Sequence, residues 1–116
     1  IECNAPGKMY IACGMTREGR KQVAAIHYHN VKRWTSFGRK TFKEKNGRQT
    51  WEVALIIPLD VMTSHHLRHP RGMTMRANFY KCGDKLAKPH FLSWNPVDCD
   101  HPDFHRPSSF GKITFV

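Results

Sequence analysis

The stretch that most limits the fold is the C-terminal third, which from Ala77 runs ANFYKCGDKLAKPHFLSWNPVDCDHPDFHRPSSFGKITFV. A strand-like run, Met73 to Lys81, leads into it, and another, Lys112 to Val116, closes it. The long connection between them holds Pro89, Pro96, Pro102 and Pro107. Each proline removes a backbone donor and fixes φ, so no helix runs through this segment. Disorder is equally disfavoured, because Phe91, Leu92, Trp94, Phe104 and Phe110 gain too much from burial. An ordered, proline-braced, aromatic loop on a β scaffold is a common position for a binding site.

The rest of the chain reads as that scaffold. Residues 1–13 predict a hairpin: Ile1 and Cys3 alternate with polar neighbours, Asn4-Ala5-Pro6-Gly7 has turn chemistry, and Met9, Ile11 and Cys13 resume the alternation. Gly14 to Lys21 is a polar connection. Val23 to Trp34 fits both periods in part, and its β-branched and aromatic content favours a strand with Ile26, Tyr28 and Trp34 on one face and His27, His29 and Val31 on the other. A basic loop, Thr35 to Gly47, ends in the Asn46-Gly47 turn signal. Thr50 to Ile57 reads as a central strand buried on both sides, with Trp51 in the core. Leu59 to Leu67 predicts one or two helical turns. Met73, Met75, Ala77 and Phe79 then alternate with Thr74, Arg76, Asn78 and Tyr80 as a half-buried strand. Strands separated by turn signals, with no amphipathic helix of useful length, predict one all-β domain over residues 1–116, an antiparallel β-sandwich with jelly-roll or immunoglobulin-like layers.

At 116 residues the chain has room for one core. Its longest apolar run, Val53 to Ile57, falls far short of the roughly 20 residues of a membrane span. The net charge of +10 raises nucleic acid and other polyanions as partners. The cations gather at Arg17, Arg20, Lys21, Lys32, Arg33, Arg39, Lys40, Lys43, Lys45 and Arg48, but no nucleic-acid motif accompanies them, and a solvated basic surface is the simpler reading. Cys3, Cys13, Cys82 and Cys99 form no CxxC pair, which argues against a zinc ribbon or a redox motif. They permit three full disulfide pairings or serve as buried thiols, the latter being favoured.

Several groups could carry chemistry. His27 with His29, and His65 with His66 and His69, lack acidic or Cys partners at zinc spacing and read as surface or packing residues. Asp98, Asp100 and Asp103 have the oxygen density of a Ca²⁺ loop without the Gly and distal Glu of an EF-hand. As a glycosidase pair they are poorly disposed, since carboxylates clustered on one loop do not flank a sugar ring. The aromatics offer more. A planar ring covers the C–H face of a sugar while polar side chains bond its edge hydroxyls. Trp94, Phe104 and His105 in the loop, Asn78, Arg76 and Tyr80 on the neighbouring strand, and Asp100 make such a candidate surface. Trp94 is as readily a core residue as a platform.

The segments NFYKCGD (78–84), PHFLSWNPV (89–97) and PDFHRPSSFGKITF (102–115) resemble the family 9-like carbohydrate-binding modules of secreted and surface proteins of polysaccharide-degrading bacteria. GRQTWEVALIIPLDVM (47–62) is similar to a strand of the same family. The SWNP, PDFHRP and FG elements at this spacing are the specific part of the likeness. The resemblance implies a β-sandwich whose complete module is longer, so that this chain, with its abrupt start at Ile1, is expected to be a C-terminal portion lacking N-terminal strands. It implies a non-catalytic glycan-binding role, export to the periplasm, cell surface or medium, and glycoside hydrolases as associates. Relatives hold a terminal sugar between two tryptophans and often carry structural Ca²⁺. Trp94 is carried over as one platform; the second aromatic is expected either in the absent part of the module or replaced by Phe104 or Trp34. An exposed sheet edge would allow pairing between copies. The alternatives are a basic nucleic-acid or polyanion-binding module and, less favoured, a glycoside hydrolase.

Overall fold

The computed structural model describes residues 1–62 and 64–116. The chain divides into two compact units, Ile1–Arg68 and His69–Val116. All strand pairings are antiparallel, and among the described residues they form five two-stranded ladders. The fold class is thus the expected all-β antiparallel one.

In the first unit, β1 (Glu2–Cys3) and β2 (Met9–Tyr10) form the predicted hairpin. Its turn is closed by Asn4, whose Oδ1 accepts from the Lys8 amide at 2.8 Å and whose carbonyl accepts from the Gly7 amide at 2.8 Å. Gly7 sits at φ 81°, a left-handed conformation that a side chain disfavours. β3 (Ala12–Cys13) pairs with β4 (Lys21–Gln22), and β5 (Lys32–Thr35) with β6 (Val53–Ile56).

Between β4 and β5 the predicted strand is replaced by a single helical turn, α1 (Ala25–Tyr28). The His27 amide bonds the Ala24 carbonyl, the His29 amide that of Ala25, and the Val31 amide that of Tyr28. The cause lies at the ends of the segment. Val23 and Val31 both reach the buried core with Ile11 and Val61, and the turn brings the chain back to it at the expense of Ile26, which is 72% exposed. His29 Nδ1 lies 2.6 Å from the Ile26 carbonyl and satisfies a group that the turn leaves open.

Two further expectations are corrected. β6 is not a central strand buried on both sides. Among the described residues it pairs with β5 alone, Ile56 is 67% exposed, and Trp51 is half-buried. Within the strand only Leu55 is even half-buried, and Val53 is exposed like Ile56. Leu59–Val61 forms one 3-10 turn that inserts Val61 into the core, and no helix continues to Leu67 among the described residues. Position 63, within that expected stretch, lies outside the described residues.

In the second unit, β7 (Thr74–Ala77) pairs with β10 (Gly111–Thr114), and β8 (Tyr80–Gly83) pairs with β9 (His90–Ser93). Ile113 and Phe115 are half-buried, as the closing-strand reading requires. The predicted continuous strand from Met73 to Lys81 is broken at Asn78-Phe79, and the supposed long loop contains a strand of its own, β9. The break reverses the alternation, so that Phe79 is exposed and Tyr80 half-buried.

The first unit's core has four buried apolar side chains, so each counts heavily. Ile11→Ala is expected to lower stability by about 2–5 kcal/mol, whereas Ile56→Ala should change it by no more than about 0.5 kcal/mol. Urea unfolding of both variants checks the contrast.

Candidate functional site

Asn78 stands where the ladders of the second unit part. Its Oδ1 accepts from the amides of Phe79 (2.9 Å) and Asn95 (2.9 Å), and its Nδ2 donates to the carbonyls of Asn95 (2.8 Å) and Ser109 (3.3 Å). A carboxamide has two donor hydrogens and two acceptor lone pairs, and all four are used here. Because the Trp94 amide bonds the Phe79 carbonyl at 2.9 Å, the Asn78 side chain continues the β8–β9 ladder by one rung.

The same grip extends to residues 108–110. A 3-10 turn, Pro107–Ser109, leaves its last carbonyls without internal partners. Arg76 Nη2 donates to the carbonyls of Ser108 (2.9 Å) and Phe110 (2.9 Å), and Nε to Phe110 (3.1 Å). Asn95 Nδ2 reaches the Ser109 carbonyl at 2.8 Å. Three consecutive carbonyls are thereby held by three side chains: Arg76 from β7, Asn78 from the β7–β8 break and Asn95 after Trp94. Arg76 and Asn78, expected as ligand contacts, therefore serve the protein's own backbone.

What this frame positions is Trp94. The indole is 53% exposed and tilts against Phe79 at 5.7 Å between ring centres. Beneath it lies Gly111. A β-carbon at that position would come within 2.8 Å of Trp94 Cζ3 and 3.0 Å of Cη2, closer than nonbonded carbons approach. Trp94 is accordingly not a core residue. It is a ring braced on a glycine backbone and on Phe79, with about half its surface open to solvent.

The other candidates gather elsewhere in the unit. Tyr80 and Phe104 stack at 4.3 Å and 14°, and Phe91 meets Phe104 edge-on at 6.0 Å. Phe104 thus spends one face on Tyr80 rather than offering both. Among the described residues the buried Tyr80 hydroxyl has no hydrogen-bond partner. Burial raises its pKa; the Asn78 amide opposes the shift and the Asp103 carboxylate adds to it. Since both hydrogens of Asn78 are already held by Asn95 and Ser109, its influence on the phenol is electrostatic. A shallow concavity of about 300 Å³ is lined by Phe91, Phe104, Asp100 and Asp103, among others.

Asp98 and Asp100 are exposed, and Asp103 Oδ1 accepts the His105 amide at 3.0 Å in a local turn. His105 is exposed. Among the described residues no three His, Cys, Asp or Glu side chains converge to hold a metal ion, so these three carboxylates do not fit a Ca²⁺ cradle. His65 and His69 lie outside any helix. The four cysteines are free thiols, and none is buried as expected: Cys3, Cys13 and Cys99 are half-buried and Cys82 is exposed. Burial raises the Cys3 thiol's pKa, with the Arg33 charge opposing the shift. Trp34, in the first unit, is 56% exposed. Among the described residues no helix is long and apolar enough to cross a membrane.

The comparisons with known proteins bear on this arrangement directly. The profile of carbohydrate-binding family 9 matches residues 1–115. The chain belongs to carbohydrate-binding family 9. It is also similar to the crystal structure of a candidate carbohydrate-binding protein from Bacteroides uniformis, with 40% identity and a TM-score of 0.91. That match covers 98% of this chain and 52% of the other, so the chain spans about half the length of its solved relative. Among curated proteins there is no match. The likeness extends to the fold, and the all-β antiparallel class expected from the sequence stands. The profile match includes the SWNP and PDFHRP segments from which the resemblance was read, and in the structure those segments supply Trp94, Asn95 and the approach to the Pro107–Ser109 turn.

Gly111, Phe79, Asn95 and Ser109 were not among the sequence candidates. Gly111 entered the sequence reading only within the FG element of the family resemblance, with no signal of its own role.

The orphaned phenol yields a test. Tyr80→Phe removes a buried hydroxyl that has no partner and keeps the stacked ring, so it should be neutral or stabilising by up to about 1–3 kcal/mol. A phenol whose folded pKa is raised contributes its stability below the unfolded value of about 10, and that contribution is lost as pH rises through the folded value. The wild type should therefore lose stability above about pH 10 more steeply than Tyr80→Phe, as melts across that range would show.

Proposed function

We propose that the chain binds a glycan on the exposed face of Trp94, as a non-catalytic module of an exported bacterial protein that supports polysaccharide breakdown. The observation that carries this reading is the half-open indole braced on Gly111 and Phe79. An immobilised ring loses little further freedom on stacking against a sugar, so more of the contact energy appears as affinity. Family-9 membership supports the ligand class. Arg76 and Asn78 act as positioning residues through the 108–110 carbonyls and Asn95. Asp100 and Phe104, which line the concavity, together with His105 and Tyr80 are the remaining polar and aromatic candidates for contacts to a longer oligosaccharide. The Ca²⁺ carried by relatives is left out of this reading, because Asp98, Asp100 and Asp103 do not converge. Glycoside hydrolases are the partners such a module would serve.

A glycan array on the intact chain, followed by calorimetric titration of the best oligosaccharide, tests the proposal. Trp94→Ala should weaken binding by about thirtyfold or more, the scale of an aromatic hot spot. It should cost much less stability than the about 3–5 kcal/mol of a fully buried tryptophan. Gly111→Ala keeps the indole but displaces it, and should weaken binding with the tryptophan still present. Wild-type affinity in Trp94→Ala would overturn the assignment, and release of chromophore from a chromogenic glycoside would overturn the non-catalytic reading.

A further inference from the structure

Between β5 and β6 the chain runs through residues 36–52 without helix or strand. Between Ser36 and Glu52 it carries Arg39, Lys40, Lys43, Lys45 and Arg48 against one carboxylate, Glu44. The bias belongs to this unit: residues 1–68 hold twelve Lys and Arg to five Asp and Glu, whereas 69–116 hold seven to four. A segment so charged repels itself and extends unless something closes it.

Here it is closed twice. At its ends, the Ser36 amide bonds the Glu52 carbonyl at 3.0 Å while the Glu52 amide bonds Ser36 Oγ at 2.9 Å. The buried Thr35 hydroxyl donates to the Gly38 carbonyl at 2.9 Å. Inside, Phe37 and Phe42 meet edge-to-face at 5.1 Å, and Lys45 Nζ lies over Phe37 at 4.3 Å and 5.4 Å from the centre of Phe42. One cation is thus used as the loop's internal brace. Arg39, Lys40, Lys43 and Arg48 are left exposed on a structured loop, and among the described residues no hydrogen bond or ion pair holds their side chains. Compact loops of this kind, packed by their own side chains, are frequently functional.

We propose that this loop is a binding surface for acidic polysaccharide, taking the carboxylate or sulfate groups of a glycan chain on Arg39, Lys40, Lys43 and Arg48. Nucleic acid fits less well. Sequence-tolerant binding of single strands relies on open aromatic faces for base stacking, and Phe37 and Phe42 are turned on each other and on Lys45. Membership of a carbohydrate-binding family favours a glycan as the polyanion. The surface lies in the first unit and does not rest on the Trp94 reading.

The test uses the full chain in affinity electrophoresis and titration against heparin (sulfated), polygalacturonate (carboxylated), dextran (neutral) and poly(U). One or both acidic polysaccharides should bind, with affinity falling about tenfold or more between roughly 50 and 200 mM salt, and the stronger of the two identifies the anionic group. The variant R39Q/K40Q/K43Q/R48Q should lose about tenfold or more of this affinity with an unchanged melt, while Trp94→Ala keeps it. Three results would overturn the proposal: no binding to heparin or polygalacturonate at low salt, wild-type binding by the quadruple variant, or tighter binding of poly(U) than of both polysaccharides.

Discussion

The second unit depends on one carboxamide. Asn78 ends β7, begins the approach to β8, and bonds the backbone on both sides of the connection from β9 to β10. Without it, the amide and the carbonyl of Asn95 would have to find water or other partners, at a cost of about 1–3 kcal/mol for each one left buried and unmet, and the Ser109 carbonyl would keep only Asn95 Nδ2. Proline supplies the rest of the restraint. Pro96 and Pro107 flank the bonded residues and fix φ there. The clasp then holds an irregular segment at its two ends, Asn95 and Ser109, with the 3-10 turn closing the far side. An order that hydrophobic burial does not supply, since Leu92 and Trp94 stay exposed, is supplied by saturated polar bonding.

That substitution of polar bonding for burial separates what the sequence made legible from what it did not. Turn chemistry located the first hairpin, because Asn4 and Gly7 act locally. Local alternation also found the closing strand, with Ile113 and Phe115 inward. It failed at Asn78, where a side chain replaces a backbone rung and flips the phase, so Phe79 and Tyr80 exchange sides. It failed again at 23–34, where alternation was present but the need to return Val31 to the core bent the chain into a turn. Both failures are long-range: no period in a single segment reports which residue far along the chain will meet it. The site was legible by residue type and not by role. Trp94, singled out by type, is exposed and packed on Gly111 and Phe79, whereas Arg76 and Asn78, polar like ligand contacts, bond the backbone instead. Gly111 was invisible because a missing side chain has meaning only once the neighbour that fills its place is known.

The exposed indole follows from these restraints. A tryptophan leaves water when it finds apolar surface, and burying such a side chain fully contributes several kcal/mol. Trp94 forgoes about half of that while Gly111 forgoes a side chain beneath it. A larger residue at 111 would lift the ring off its support, and a freely rotating indole would lose entropy on meeting any ligand. The glycine allows the ring to be rigid and exposed together. Neither condition alone makes a platform: a buried ring has no free face, and a loose one spends its contact energy on becoming ordered. The polar clasp fixes the residue that follows Trp94 and the carbonyls that precede Gly111. The orientation of the indole is therefore set by hydrogen bonds that make no use of its surface, which leaves that surface for another molecule.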